Sequence, residues 1–154
     1  MRILIVSDSH RHKGNLRLAI KSQPSAEVIF FLGNSAADME DIIDEPFCRN
    51  KAVFIVSGNG DFCSTQAESG VVTLENHKIY YTHGHIENVK YGLYPLACAA
   101  RSHGCDIALY GHTHVADIQY DGGLYLVNPG SAADGSYVFV DLTEQGVFAS
   151  IVTL

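Results

Sequence analysis

Residues 2–10 read RILIVSDSH, an apolar, β-branched run followed directly by a polar cluster. The run at 2–7 predicts a buried first strand, because short continuous apolar segments are typical of strands covered on both faces. Asp8, Ser9 and His10 then stand at the carboxyl end of that strand. The same arrangement recurs along the chain, since later apolar runs also end in polar clusters.

Two further apolar runs in the first half, at 27–32 and 52–56, also predict buried strands. Helical segments at 15–22 and 36–44 separate the three strands, and each stops close to a proline. Neighbouring parallel strands need long connections such as helices. The alternation therefore predicts an α/β arrangement with a parallel sheet.

The second half predicts antiparallel pairing as well. Apolar runs at 71–75 and 78–83 flank Asn76-His77 and are typical of a hairpin. We expect two packed sheets flanked by helices in one domain, residues 1–154. The remaining elements are a helix at 93–103 and strands at 107–110, 115–120, 124–127, 137–142 and 147–152. The last strand is expected either inside a sheet or at an edge that forms a homodimer.

The composition limits the classes of partner. Hydrophobic residues make up 47% of the 154, enough for a sizeable core, and the net charge of -7 argues against a long nucleic acid or an anionic membrane. The four cysteines form no CxxC pair, so they predict reduced thiols rather than a zinc knuckle or disulfide framework. The first apolar run is too short for a signal peptide, and we expect a cytoplasmic protein.

Five polar clusters share one feature, which is that each stands where an apolar run ends. The carboxyl ends of strands converge on one edge of an open α/β sheet, so clusters that are distant in sequence are expected to meet there. The clusters are Asp8-Ser9-His10, Gly33-Asn34, Gly58-Asn59-Gly60-Asp61, His83-Gly84-His85 and Gly111-His112-Thr113-His114. Together they predict a pocket of His, Asp and Asn side chains.

Such a pocket is suited to divalent metal ions. Imidazole nitrogens together with carboxylate or amide oxygens bind manganese, nickel, zinc or iron, whereas magnesium and calcium prefer oxygen alone. In 112–114 an extended backbone would send the imidazoles of His112 and His114 to the same side. The same reasoning brings Asp8 and His10 together around Ser9.

The ordered set SDSH, LGN, SGNGD, THGH and GHTH resembles the calcineurin-like metallophosphoesterases, and in particular their short bacterial and archaeal phosphodiesterase branch. NPGS at 128–131 is similar to the segment that follows the last histidine motif in that branch. The resemblance covers nearly the whole chain. It implies the fold of the family, a four-layer α/β sandwich of two mixed sheets flanked by helices.

The resemblance also implies a hydrolase with a dinuclear metal site, in which metal-bound hydroxide attacks a small phosphodiester in line. The implied ligand sets are Asp8, His10 and His114 for one ion and Asn59, His83 and His112 for the other, with Asn34 bridging them. The partner is then a small phosphate ester, and up to two divalent ions are the cofactors.

Asn34 departs from the family pattern, which usually has aspartate at this position. A carboxylate offers one oxygen to each ion, whereas an asparagine has one carbonyl oxygen and an NH₂ donor that cannot bind a cation. The second ion would have neutral ligands alone, so we expect it to bind weakly. Asn34 also supports an alternative function, a catalytically weak or inactive module that keeps the fold and binds another protein.

Two residues are candidates for the general acid. Asp61 stands where many relatives have histidine, and His85 ends the THGH motif. Either would serve if its protonated form reached a leaving oxygen. The histidines that match no motif, and are expected outside the site, are His12, His77 and His103.

Overall fold

The computed structural model describes residues 1–154. Its strands and α-helices, numbered in chain order, are β1 (Arg2–Val6), α1 (Lys13–Ser22), β2 (Val28–Phe31), α2 (Ala36–Ile42), β3 (Ala52–Ile55), β4 (Ser69–Leu74), β5 (His77–Thr82), α3 (Tyr94–Ser102), β6 (Ile107–Leu109), β7 (Ala116–Asp121), β8 (Leu124–Pro129), β9 (Ser136–Thr143) and β10 (Gly146–Thr153). Short 3₁₀ helices span Pro46–Cys48, Val89–Tyr91 and Ala132–Asp134.

The strands form two mixed sheets of five strands each, as the sequence predicts. The first has the order β10-β9-β1-β2-β3, in which β1, β2 and β3 are parallel and β9 and β10 are antiparallel to their neighbours. The second has the order β4-β5-β6-β8-β7, with β5, β6 and β8 parallel and β4 and β7 antiparallel at the edges.

Side chains on the two faces of β1 pack against different layers of the fold. Ile3 and Ile5 belong to the core between the two sheets, where they join Leu109 of β6. Leu4 and Val6 point the other way and pack with residues of α1 and α2. Because α3 packs on the outer face of the second sheet, the order is helices, sheet, sheet, helix. Strands buried on both faces need the continuous apolar runs that the sequence shows.

Element ends differ slightly from the sequence prediction. The second helix ends at Ile42 rather than near 44, because Glu45 precedes Pro46 and has extended backbone, with φ −67° and ψ 151°. β10 forms an edge of the first sheet, so of the two alternatives for this strand the internal one is excluded. None of the helices has the length and apolar character that a membrane span requires.

Candidate metal centre

The predicted ligands all stand where strands of the two sheets end. Asp8 follows β1 and Asn34 follows β2, while Asn59 lies in the loop after β3. From the second sheet, His83 follows β5 directly, and His112 and His114 follow β6. Since β1, β2 and β3 are parallel, and β5 and β6 are parallel too, their carboxyl ends lie side by side. The structure brings these side chains into two adjacent clusters.

The first cluster consists of Asp8, His10 and His114, whose candidate ligand atoms all lie within 4.8 Å of one another. Asp8 Oδ1 is 3.6 Å from His10 Nε2 and 3.3 Å from His114 Nε2. The two imidazole nitrogens are 3.2 Å apart. Asp8 is fully buried, whereas both histidines are partly open to solvent. One carboxylate oxygen and two imidazoles fit a single borderline divalent ion.

Hydrogen bonds to the oxygen that faces away from the cluster fix the carboxylate of Asp8. Its Oδ2 accepts a hydrogen bond of 2.6 Å from the Ser7 hydroxyl and one of 3.2 Å from the backbone N–H of His112. The Ser131 hydroxyl also donates to the backbone carbonyl of Asp8, at 2.9 Å. Oδ1 is therefore the oxygen that faces the cluster, and its direction is fixed by groups that do not need an ion.

The second cluster consists of Asn59, His83 and His112. His83 Nδ1 donates to the Leu32 carbonyl at 2.6 Å, which leaves the lone pair of Nε2 facing the cluster. Nε2 lies 3.1 Å from Asn59 Oδ1 and 3.2 Å from His112 Nδ1. The candidate ligand atoms of the three side chains in this cluster are thus in contact with one another.

The imidazoles of the second cluster are held in the neutral form that metal binding requires. Burial is the main cause that lowers the pKa of His83. Burial, followed by the nearby His83 and then Lys90, lowers the pKa of His112 to about 4. Near neutral pH each of these two rings therefore has one unprotonated nitrogen with a lone pair.

Asn34 lies between the two clusters. Its Nδ2 donates to Asp8 Oδ1 at 3.1 Å and to Asn59 Oδ1 at 3.2 Å. Its Oδ1 accepts the backbone N–H of Gly60 at 2.9 Å. The amide therefore turns its nitrogen, not its oxygen, toward the predicted ligands.

The two predicted acids have different surroundings. Asp61 accepts four backbone N–H groups, at 2.8 to 3.0 Å, from Asn34, Ser35, Ala36 and Gly58. His85 has a buried Nδ1 with no hydrogen-bond partner, and its Nε2 lies 3.9 Å from Glu68 Oε1. The His85 ring is 5.4 Å from the ring of His83. Asp61 thus holds the loops together, while His85 stands beside the second cluster with hydrogen-bonding capacity to spare.

Backbone strain is concentrated at the centre. Asp8, His10, Asn34, His112 and His114 all have positive φ, between 44° and 70°. Residues other than glycine rarely adopt this backbone region. Such strain is found mainly at functional sites, where contacts with the surrounding structure maintain the strained conformation.

Comparison with known proteins gives the family. A model described as the calcineurin-like phosphoesterase superfamily domain matches residues 1–145. The chain belongs to the calcineurin-like phosphoesterase superfamily. The resemblance inferred from the motifs is thereby confirmed.

Relatives of this chain cover most of its length. The probable metallophosphoesterase YsnB of Bacillus subtilis is 30% identical over 132 residues, which are 85% of this chain and 75% of that protein. Phosphodiesterase MJ0936 of Methanocaldococcus jannaschii is 27% identical over 146 residues, covering 84% of this chain and 83% of that one. The crystal structure of wild-type Vps29 complexed with zinc, from Entamoeba histolytica, has a TM-score of 0.76, 24% identity and 99% coverage of both chains.

Several residues that support the candidate metal centre were not predicted as site residues. Asn128 donates through Nδ2 to the Gly111 carbonyl at 3.0 Å and to Thr113 Oγ1 at 2.9 Å, and so fixes the loop that carries His112 and His114. The NPGS segment was the one sequence signal for it. Ser7 stands in the SDSH motif, but its contact with Asp8 is visible only in three dimensions.

Proposed function

We propose that this chain is a metal-dependent phosphodiesterase that hydrolyses a small phosphate ester, with an activity that Asn34 limits. The observation that carries the proposal is the cluster of Asp8, His10 and His114, whose donor atoms fit one divalent ion. A cation held there, with manganese, nickel, zinc or iron as the candidates, supplies positive charge for the phosphoryl oxygens and acidity for water. The relatives named as a metallophosphoesterase and a phosphodiesterase support this reaction class.

The cleft beside the second cluster supports a small substrate. It has a volume of about 550 Å³ and is lined by residues that include Asn59, Phe62, Glu68 and His85, with no lysine or arginine among them. A track of basic residues is what a long nucleic acid requires. A leaving group of limited size, without further phosphates, suits this cleft better.

His85 is the stronger of the two candidates for the general acid. It lines the cleft, and its Nε2 lies 3.9 Å from Glu68 Oε1, too far for a hydrogen bond. Each carboxylate oxygen of Asp61 already accepts two N–H groups, so neither is free to carry a proton to a leaving oxygen. We therefore assign proton donation to His85 and loop positioning to Asp61.

Hydrolysis of bis(p-nitrophenyl) phosphate tests the proposal. The metal-free protein is supplied separately with Mn²⁺, Ni²⁺ or Zn²⁺, and turnover is expected with at least one of them. Asp8→Asn and His114→Ala each remove a candidate ligand, so each is expected to reduce turnover by more than about 100-fold. His12→Ala is the matched control, because His12 is an exposed histidine outside both clusters. Unchanged turnover in Asp8→Asn would refute the proposal.

A second candidate function is a binding module that keeps the fold without efficient catalysis. The hydrogen bonds of Asn34 to Asp8 and Asn59 favour it, because they join the two halves of the centre without an ion. The similarity to vacuolar protein sorting-associated protein 29 of Schizosaccharomyces pombe, which is 32% identical over 100 residues, supports it too. Turnover that appears with Asn34→Asp and is absent from the natural chain would favour this function.

A further inference from the structure

We propose that Asn34 acts as a hydrogen-bonded tie in the place of a second cation. The chain then binds one divalent ion, at Asp8, His10 and His114, and the cluster that contains Asn59 stays assembled without one. This inference rests on the proposed metal centre and deepens it. Metal binding is measurable without turnover, so the two proposals can fail separately.

The orientation of the Asn34 amide follows from its neighbours. The NH₂ group donates hydrogen bonds to two oxygens, Asp8 Oδ1 and Asn59 Oδ1, and the carbonyl oxygen accepts one from the Gly60 N–H. A flipped amide would bring its oxygen to 3.1 and 3.2 Å from two other oxygens and its NH₂ toward the Gly60 donor. All three contacts would become repulsive, so only one orientation satisfies the network.

The loop that contains Gly58 and Gly60 packs closely against the side chain of Asn34. A Cβ added to Gly58 would overlap Asn34 Oδ1, and one added to Gly60 would come within 3.1 Å of it. The backbone N–H groups of Asn34 and Gly58 both donate to Asp61 Oδ2, at 2.9 and 2.8 Å, which draws the two loops together. The carbonyl end of the amide is therefore enclosed between glycines, and the NH₂ end projects toward the ligands.

This geometry opposes a cation in the second cluster. The NH₂ group of Asn34 has no lone pair for a metal, and it already occupies the oxygen of Asn59. The other two ligands, His83 and His112, are neutral imidazoles. The carboxylate of Asp8 lies 4.0 Å from His83 Nε2, but it accepts from Asn34 and faces the first cluster. The carboxylate of Asp61 is directed at four backbone N–H groups instead. The Asn34 NH₂ group also donates to Asp8 Oδ1 in the first cluster, but Asp8 is a buried carboxylate whose negative charge and further lone pairs remain for an ion.

Metal stoichiometry tests the inference. EDTA-treated protein is titrated with Mn²⁺ by isothermal calorimetry, and one ion per chain is expected. Asn34→Asp provides a carboxylate in place of the NH₂ donor and is expected to bind two. The matched control is Asn15→Asp, which makes the same change at a residue whose Nδ2 donates to the Ala133 carbonyl outside the centre. It is expected to bind one ion, like the natural chain.

Thermal unfolding gives a second measurement. Without metal, Asn34→Asp is expected to unfold roughly 5 °C below the natural chain, because a second carboxylate then faces Asp8 and both bonds from the amide are lost. Mn²⁺ is expected to raise the unfolding temperature of Asn34→Asp more than that of the natural chain. An equal metal-induced rise in the two proteins would contradict the tie.

His114→Ala keeps the inference testable if Asn34→Asp does not fold. Since the natural chain is expected to have one site, loss of His114 should leave no ion bound at up to 100-fold the concentration that saturates the natural chain. One ion retained by His114→Ala, or two bound by the natural chain, would overturn the inference. One ion bound without hydrolysis would refute the phosphodiesterase and leave the tie standing.

Discussion

At the scale of single residues, Asp61 organises the loops that carry Asn34. Because its two oxygens accept four backbone N–H groups, Asp61→Asn would turn an NH₂ group toward two of those donors. We expect the free energy of unfolding to fall by about 1–3 kcal/mol. Urea denaturation measures this, with Asp41→Asn as the control, since Asp41 is half-exposed and pairs only with Lys13. A loss of turnover with unchanged stability would indicate instead that Asp61 takes part in the chemistry.

The sequence predicts which residues meet at the centre, but it does not predict how they are oriented. Asp8 and His112 were predictable because each follows an apolar run, and such strand ends converge. The direction of the Asn34 amide was not, because it depends on the close approach of Gly58 and Gly60 from another loop. Motifs specify residue types at strand ends, whereas hydrogen-bond direction depends on contacts between motifs.

At the scale of elements, Tyr80 of β5 stabilises the loop after β5 through a hydrogen bond to Glu87. Its hydroxyl donates to Glu87 Oε1 at 2.7 Å, and the Thr82 hydroxyl donates to Oε2 at 3.1 Å. Glu87 is only 8% exposed, so its carboxylate depends on these two donors. Tyr80→Phe is expected to lower the free energy of unfolding by about 1–2 kcal/mol at pH 7. Tyr91→Phe is the control, because Tyr91 is 92% exposed.

The same contact predicts a dependence on alkaline pH. Burial, and then the hydrogen bond to Glu87, raise the pKa of Tyr80 to about 12, while an unfolded tyrosine titrates near about 10. The stabilisation is therefore complete below pH 10 and is lost as the pH rises toward 12, because the unfolded state releases its proton first. Denaturation at pH 9, 10 and 11 should show a steeper loss in the natural chain than in Tyr80→Phe. Parallel curves for the two proteins would contradict this assignment.

Element order was predictable from the sequence to a greater extent than strand pairing. Each apolar run that was predicted as a strand lies in a strand, because the local composition of the run determines its secondary structure. The position of β9 beside β1 was not predictable, because it depends on contacts between the two ends of the chain. One of them is the pair of 2.8 Å bonds that joins Arg2 to Asp141. No local pattern in either strand identifies the other as its partner.

At the scale of the whole molecule, four strands have a free edge, and they are β3, β4, β7 and β10. β10 is the longest of them, with eight residues, and it contains no charged residue or proline. β7 contains two aspartates and β3 has only four residues. β4 is flanked by Glu68 and Glu75, which would approach each other in an antiparallel self-pair. Two copies of a chain with a net charge of -7 repel each other. Because β10 is the long edge without charged residues, it is the edge best suited to pairing with a second copy.

We therefore expect a two-fold dimer in which β10 pairs antiparallel with its copy. Ile151 of this strand is 46% exposed, and a lysine there would place a like charge in each of the two paired strands. Sedimentation equilibrium between 1 and 100 µM should show dimers for the natural chain and monomers for Ile151→Lys. Val71→Lys places the same charge on β4, at a residue 37% exposed, and should leave the dimer intact. If Val71→Lys dissociates the dimer and Ile151→Lys does not, the contact lies on the second sheet. A natural chain that is monomeric at all concentrations would contradict both the β10 contact and the β4 contact.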